Sequence, residues 1–240
     1  MIRQSFLGLA CAISLAATAH AETINVVTDA TFPPFEYVEE GNLTGFDIEL
    51  MNAIAAQMGD EVNWINGDFK GLVPSLVARR ADIAISAIYI TDERLKVVDF
   101  SEPYYTGGLV IMTKTEGSDI TGPAELAGKS IAVQVGTKST SYLRENYPDT
   151  NVVEVEKNDQ MFSLVQTGRA DGAVTGKPAA LLYVKSNPDV QVLTEQLTSE
   201  NYGIAIRKDK PELVTAVNEA IEALKADGTY QALVEEYFGQ

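Results

Sequence analysis

The sequence predicts an α/β fold with largely parallel sheets, on two observations. Short runs rich in β-branched residues alternate with amphipathic helical runs from end to end, and this alternation is typical of parallel strands joined by right-handed helical crossovers. A second, similar series of strands and helices begins near residue 109. No low-complexity linker divides the two series, and the candidate passages between two lobes are residues 104–108 and 198–202.

The first series contains three strands and two helices. Strands are predicted over 24–28, 62–65 and 81–85, and helices over 46–58 and 72–79. The first helix has one continuous apolar face, as a helix packed on a sheet requires. This face consists of Ile48, Met51, Ile54, Ala55 and Met58.

The second series follows the same pattern and ends in two helices. Strands are predicted over 109–113, 130–135, 152–155, 172–174, 190–193 and 202–206, and helices over 139–146, 160–167 and 178–185. A long helix follows, with Asp209 as its N-cap and Pro211 in its first turn, because both residue types are favoured there. Gly228 ends this helix, and Thr229 is the predicted cap of a last short one.

The N-terminal residues have the pattern of an export signal. Arg3 gives a basic start, residues 6–17 are apolar, and residues 19–21 form a small-x-small cleavage site. The apolar run is too short to span a membrane, and no later stretch reaches about 18 apolar residues. Cys11 lacks the spacing of a lipid-anchor motif. We therefore predict an exported chain, cleaved after Ala21, that comprises residues 22–240.

Composition excludes several classes of function for this mature chain. Cys11 and His20 are the only cysteine and histidine, and both lie in the predicted signal. Serine–histidine and cysteine–histidine catalysis and ordinary zinc sites are therefore excluded, and no cofactor is expected. Removal of residues 1–21 takes away Arg3 and no acid, so the net charge becomes −17. Such a charge opposes binding to nucleic acid and to anionic membranes.

The stretch from Ser86 to Arg94 is the first candidate binding segment. It leads from a buried strand through a short polar turn into a helix, for which Thr91 is a good N-cap. Backbone N–H groups converge at such a junction, and the guanidinium of Arg94 can grip a carboxylate at two points. The alternative is an ordinary strand–helix connection with a solvated arginine.

Further candidates follow other predicted strands, where ligands bind in open α/β sheets. Asp29 and Phe32 follow the first strand, and Phe69 follows the second. The turn at 136–139 presents backbone N–H donors at the start of a helix. The alternatives are phenylalanines that fill the core and a turn that only caps its helix.

Six segments, in one order along the chain, resemble a known family. They are GFDIEL (45–50), DFKGLVP (68–74), ITDER (90–94), DFSEPYY (99–105), QVGT (134–137) and DGTY (227–230). On these segments the chain is similar to the bacterial periplasmic polar-amino-acid-binding proteins, family 3 of the extracellular solute-binding proteins, which serve ABC importers. The resemblance covers residues 22–240.

The resemblance implies a type II periplasmic-binding-protein fold of two lobes joined by two crossing strands. Residues 22–105 with 203–240 would form lobe 1 and residues 106–202 lobe 2, with hinges near 104–108 and 198–202. It further implies a periplasmic monomer that encloses a small solute by a hinge motion and delivers it to a membrane permease.

Functional roles carry over from this resemblance position by position. Arg94 would hold the α-carboxylate, helped by backbone N–H groups of Tyr89 and of the turn at 137–138. Phe32 and Phe69 would enclose the side chain of the solute, and Asp29 would bind a polar or cationic group. The carbonyl of Ala87 would accept from the ammonium group. The implied ligand-binding set is Asp29, Phe32, Phe69, Ser86, Ala87, Tyr89, Arg94, Gln134, Thr137, Lys138 and Gly176.

Four positions depart from the family pattern. Gly176 stands where an acidic residue pairs with the α-ammonium, and Lys177 follows it; Tyr89 and Lys138 replace small residues. An enclosed ammonium needs an acceptor, and hydrogen bonds to charged groups contribute about 1.5–3 kcal/mol. Either Asp29, Glu36 or the Tyr89 hydroxyl holds the ammonium, or the solute is not an ordinary α-amino acid. The two added lysines, Lys138 and Lys177, would suit a more anionic solute, such as a dicarboxylate.

Two other functions stay open beside the solute receptor, which is not an enzyme. Cyclohexadienyl dehydratases are similar to this family and use the same cleft, but they need a positioned acid, and the acidic position is occupied by Gly176. A sensor that reports ligand occupancy to a membrane partner has the same sequence requirements as a transport receptor.

Overall fold

The protein is described here by a computed structural model of residues 21–239. The predicted export signal lies outside the described residues, apart from Ala21. Within residues 21–239, no helix is both long enough and apolar enough to cross a membrane.

Strands and helices alternate as the sequence predicts. The strands are β1 (Thr23–Thr28), β2 (Thr31–Phe32), β3 (Glu36–Glu39), β4 (Asn42–Thr44), β5 (Glu61–Asn66), β6 (Ile83–Ala84), β7 (Val98–Phe100), β8 (Tyr105–Thr106), β9 (Leu109–Lys114), β10 (Ser130–Gln134), β11 (Asn151–Val155), β12 (Gly172–Gly176), β13 (Val190–Gln196), β14 (Asn201–Tyr202) and β15 (Ala205–Arg207). The helices are α1 (Phe46–Met58), α2 (Phe69–Val77), α3 (Asp92–Leu95), α4 (Lys138–Asn146), α5 (Asn158–Gln166), α6 (Lys177–Ser186), α7 (Pro211–Ala226) and α8 (Thr229–Phe238).

Two five-stranded sheets define the two lobes. The first sheet has the order β5-β1-β6-β15-β7 and the second the order β11-β10-β12-β9-β13. Strand β1 pairs in parallel with β5 and β6, and β10 pairs in parallel with β11 and β12. The predicted two-lobed α/β architecture is confirmed.

Each sheet also contains one antiparallel strand, which the sequence pattern does not predict. Strand β15 is antiparallel to both of its neighbours in the first sheet, and β9 is antiparallel to both of its neighbours in the second. Both strands come directly after a crossing strand, since β8 precedes β9 and β14 precedes β15. A chain that arrives from the other lobe enters the new sheet in the reverse direction.

The two crossing strands, β8 and β14, pair with each other in antiparallel fashion, with Tyr105 opposite Tyr202. Aromatic side chains pack around this junction. The Tyr202 ring is fully buried and lies 5.3 Å from the Phe35 ring and 6.1 Å from the Tyr105 ring. The predicted strand over 202–206 is therefore divided into β14 and β15.

Further details differ from the predictions, beginning with strand β7, which was not predicted. Strands β2, β3 and β4 form a small antiparallel sheet over residues 31–44 that was not predicted. The N-cap of α7 is Lys210 and not Asp209. The Asp209 carboxylate instead forms an ion pair with the Arg207 guanidinium at 2.6 Å.

Candidate functional site

The carboxyl ends of strands from both sheets surround a cavity of about 40 Å³ between the lobes. Ten of the eleven predicted site residues line it, and Arg94 does not. Those ten are Asp29, Phe32, Phe69, Ser86, Ala87, Tyr89, Gln134, Thr137, Lys138 and Gly176. The other lining residues are Glu36, Leu109, Ser139, Asn158, Val174, Thr175 and Tyr202.

Asp29 follows β1, and its carboxylate is almost completely buried, with 1% of the side chain exposed. One oxygen accepts from the Thr31 hydroxyl at 3.2 Å and from the Lys157 ammonium at 2.8 Å. The other accepts from the Phe69 backbone N–H at 3.2 Å and from the Gln134 amide at 2.6 Å. Both oxygens of Asp29 are therefore engaged by groups of the protein itself.

Lys157, which was not among the predicted residues, reaches Asp29 from the opposite lobe. Its ammonium also contacts the Asp68 carboxylate at 2.9 Å and the Gly67 carbonyl at 3.0 Å. Desolvation lowers the pKa of Lys157, but the hydrogen bonds and charges of the two carboxylates outweigh it and hold the pKa above its ordinary value. Because Lys157 comes just after β11, the rule that ligand-site residues follow strands could have identified it.

Glu36 lines the cavity and is paired with a second buried acid, Asp47. The Ser86 hydroxyl donates to Glu36 Oε1 at 2.8 Å. Asp47 Oδ2 accepts from the Ala87 N–H at 2.8 Å and from the Tyr104 hydroxyl at 2.9 Å. Glu36 Oε2 and Asp47 Oδ1 receive no N–H or O–H donor from any other described residue, and the two carboxyl groups hydrogen-bond to each other.

This acid pair shares a proton. Burial, and then the charge of Asp47, hold the pKa of Glu36 well above its ordinary value. Burial also raises the pKa of Asp47 to about 6. Two adjacent carboxyl groups in a buried site cannot both ionise at low cost, so Glu36 keeps the proton and donates it to Asp47. Ala87, whose N–H donates to Asp47, has a positive φ angle of 45°, which is uncommon for a residue other than glycine.

Tyr89 faces the crossing strands, and its hydroxyl is occupied. It accepts from the Gly108 backbone N–H at 2.9 Å and lies 3.2 Å from the Tyr202 hydroxyl. Burial raises the pKa of Tyr89 to about 12, so the phenol stays neutral at physiological pH. Across the cavity, Gly176 leaves the space into which the Phe32 and Tyr202 rings extend.

Arg94 lies beside the cavity and bridges the two lobes. The predicted cap is confirmed, because the Thr91 hydroxyl accepts from the Arg94 N–H at 3.3 Å. The guanidinium donates to the Tyr89 carbonyl at 2.8 Å and, across the cleft, to the Gly136 carbonyl at 3.2 Å. It also lies 5.6 Å from the centre of the Phe69 ring. Desolvation lowers the pKa of Arg94 to about 10, which leaves it charged.

The two lysines that were expected to favour an anionic solute have partners of their own. The Lys138 ammonium lies 3.4 Å from the Glu200 carboxylate. The Lys177 ammonium donates to the Gln196 amide oxygen at 3.0 Å, and Lys177 does not line the cavity. Among residues 21–239, no group of three or more histidine, cysteine, aspartate or glutamate side chains could hold a metal ion.

Two α/β lobes, two crossing strands and a polar cavity between the lobes define a solute-binding protein. The comparison with family models agrees: the model for bacterial extracellular solute-binding proteins, family 3, matches residues 24–240, and the chain belongs to this family.

Similar proteins include two from Escherichia coli K12. The ABC transporter arginine-binding protein 1 is 37% identical over 226 residues, which cover 92% of each chain. The L-cystine-binding protein TcyJ is 34% identical over 221 residues, which cover 90% of this chain and 83% of that one. Among solved structures, an ancestral arginine-binding protein bound to arginine has a TM-score of 0.87 at 39% identity, covering 90% of this chain and 98% of that one.

Proposed function

We propose that this protein captures an amino acid or a related small carboxylate-bearing solute between its lobes and delivers it to the permease of an ABC transporter. The observation that carries the proposal is the cavity, to which both lobes contribute polar groups and aromatic rings. Two of the relatives are named as arginine-binding and L-cystine-binding proteins, which supports an amino acid as the solute. In this proposal the signal is cleaved after Ala21 and the protein acts in the periplasm as a monomer. It is a receptor, with no enzymatic activity and no nucleic-acid partner.

The lobes that move in this proposal are residues 22–105 with 203–240 and residues 106–202. The antiparallel pair of β8 and β14 supports hinges near 104–108 and 198–202, because few residues connect the sheets there. A rotation about these short strands would open the cleft without disturbing either sheet.

In this proposal Arg94 holds the solute carboxylate at the edge of the cavity. A guanidinium has five donors, and the carbonyl groups of Tyr89 and Gly136 receive two hydrogen bonds from it. The backbone N–H groups of Tyr89 and of the turn at 137–138 assist. The Phe32 and Phe69 rings, both half-buried and lining the cavity, enclose the remainder of the solute.

Glu36 is the acceptor for the solute ammonium. Of the three acceptors that the sequence left open, Asp29 and the Tyr89 hydroxyl are occupied by groups of the protein. Glu36 lines the cavity, its Oε1 accepts from the Ser86 hydroxyl and has a second lone pair for another donor, and no cation is ion-paired with Glu36 or Asp47 among the described residues. The negative charge of the pair favours an ammonium there and disfavours a second carboxylate. The proposal therefore favours a zwitterion over a dicarboxylate.

A thermal-shift screen of amino acids, amines and dicarboxylates, followed by calorimetry and small-angle X-ray scattering, tests the proposal. A ligand at 100 times its dissociation constant stabilises the fold by about 2.7 kcal/mol. We expect one-to-one binding of a zwitterion with a decrease in radius of gyration. Stabilisation by no member of the panel, or turnover of prephenate or arogenate by the purified protein, would contradict it.

A further inference from the structure

We infer that Lys157 is a built-in cationic occupant of the site around Asp29, and that it excludes solutes with a cationic side chain. The inference rests on the proposed function and specifies the class of solute. Lys157 belongs to the second lobe, whereas all three acceptors around its ammonium group belong to the first. They are Asp29, Asp68 and the Gly67 carbonyl, at 2.8, 2.9 and 3.0 Å.

The ammonium group of Lys157 is satisfied in the way that a bound cation would be. A lysine has three N–H donors, and each has an acceptor within 3.0 Å. Its side chain is 27% exposed, whereas that of Asp29 is 1% exposed, so the pair is largely screened from solvent on the carboxylate side. An ion pair in such a site is far less weakened by water and salt than a surface pair.

Asp29 has no oxygen left for a second cation. Besides Lys157, its carboxylate accepts from Gln134, from Thr31 and from the Phe69 backbone N–H. A guanidinium or ammonium group of a solute would therefore have to displace Lys157, or lie beside it as a like charge in a site of low dielectric. Both outcomes are unfavourable.

Glu36, the other acid that lines the cavity, does not offer a site for a cationic side chain of the solute. Glu36 is paired with Asp47, and in the proposed function this pair receives the ammonium of the solute backbone. A dibasic amino acid brings two cations, and only one of them finds an acceptor. The solute that fits this chain therefore has a single cationic group and a side chain without positive charge.

Removal of the Lys157 charge should create a site for basic amino acids. We expect calorimetry to detect binding of arginine or lysine to Lys157→Ala at least tenfold tighter than to the wild-type protein. Lys157→Met retains most of the aliphatic side chain and should show the same direction of change. The double variant Asp29→Asn/Lys157→Ala should lose the gain, since it removes the carboxylate that the new cation would contact.

Lys70→Ala is the matched control. Lys70 also forms an ion pair across the cleft, at 2.6 Å from Glu156, but it does not contact Asp29. Its removal should not improve arginine binding. Because the expected result is a gain, a misfolded variant cannot produce it by accident.

Two results would overturn the inference and can be told apart from failure of the proposed function. Tight binding of arginine or lysine to the wild-type protein, or a gain in Lys157→Ala no larger than in Lys70→Ala, refutes the role of Lys157 and leaves the receptor function intact. If neither the wild-type protein nor Lys157→Ala binds any amino acid, both proposals fall together.

Discussion

Replacing Gly176 with alanine adds one methyl group at a place where the two lobes lie close together. A Cβ atom at this position would lie 2.8 Å from the Tyr202 hydroxyl oxygen and 2.9 Å from Cζ of Phe32. Carbon atoms in contact prefer separations of about 3.5–4.0 Å. Phe32 belongs to the first lobe, so its contact with Gly176 exists only while the lobes are together, and Tyr202 is fully buried and has little room to move.

The clash should weaken solute binding more than it weakens the fold. Overpacking of this kind costs about 1–3 kcal/mol, and a tenfold change in affinity corresponds to about 1.4 kcal/mol. We therefore expect Gly176→Ala to bind the preferred solute about 5- to 150-fold less tightly. Gly176→Asp places the same Cβ atom there, so an acid introduced at this position should not raise the affinity.

Calorimetry with the preferred solute, together with the change in radius of gyration on binding, measures this effect. Gly71→Ala is the control, because no atom lies within 4 Å of a Cβ built at Gly71; it should bind as the wild-type protein does. If Gly176→Ala binds with unchanged affinity and closes to the same extent, the close approach of Phe32 and Tyr202 does not limit the cavity, and the reasoning is wrong.

Two further predictions concern charged groups of the site. Arg94→Ala should weaken binding of a carboxylate-bearing solute about 10- to 100-fold, since charged hydrogen bonds contribute about 1.5–3 kcal/mol; normal binding in calorimetry would show that Arg94 is not the clamp. Glu36→Gln should change the pH dependence of stability, because burial raises the pKa of Glu36 in the folded state well above its ordinary value of 4.5. The wild-type protein then loses stability through Glu36 as the pH rises above 4.5, whereas the variant keeps only the loss that the raised pKa of Asp47 causes. Urea unfolding should therefore favour the variant by about 1.4 kcal/mol more per pH unit, and a constant difference between pH 4.5 and 7 would contradict this.

The apolar pattern predicted the fold because it is a local property of the chain. Buried strands such as β1 and β10 are short β-branched runs, and α1 has one apolar face, so periodicity identifies each element without knowledge of its neighbours. The small sheet of β2, β3 and β4 lacked that signal. Its strands have two to four residues, and the turn at Glu40 and Gly41 has positive φ angles of 51° and 85° without the usual Asn-Gly or Asp-Gly pair.

The position of the site was predictable, but the interactions within it were not. The rule that ligands bind where parallel strands end places Asp29, Phe69 and Gln134 around one cavity. Whether Asp29 is free or occupied depends on Lys157, which is 128 residues away in sequence and reaches it only because two lobes meet. Likewise, the sequence indicates an arginine at the start of α3, but not that its guanidinium contacts carbonyl groups on both sides of the cleft.

The two ion pairs across the cleft, Lys70–Glu156 and Lys157–Asp29, should affect solute binding in different ways. Lys70 and Lys157 both join the lobes through ion pairs, so in the proposed hinge motion each would lower the free energy of the closed conformation relative to the open one. A ligand has to supply only the part of the closure free energy that such contacts do not provide. The Lys70–Glu156 pair is about half exposed and is worth at most about 1 kcal/mol, so its loss should weaken all solutes slightly and equally. Lys157 is in contact with the buried carboxylate of the cavity, so its loss should instead change which solutes bind.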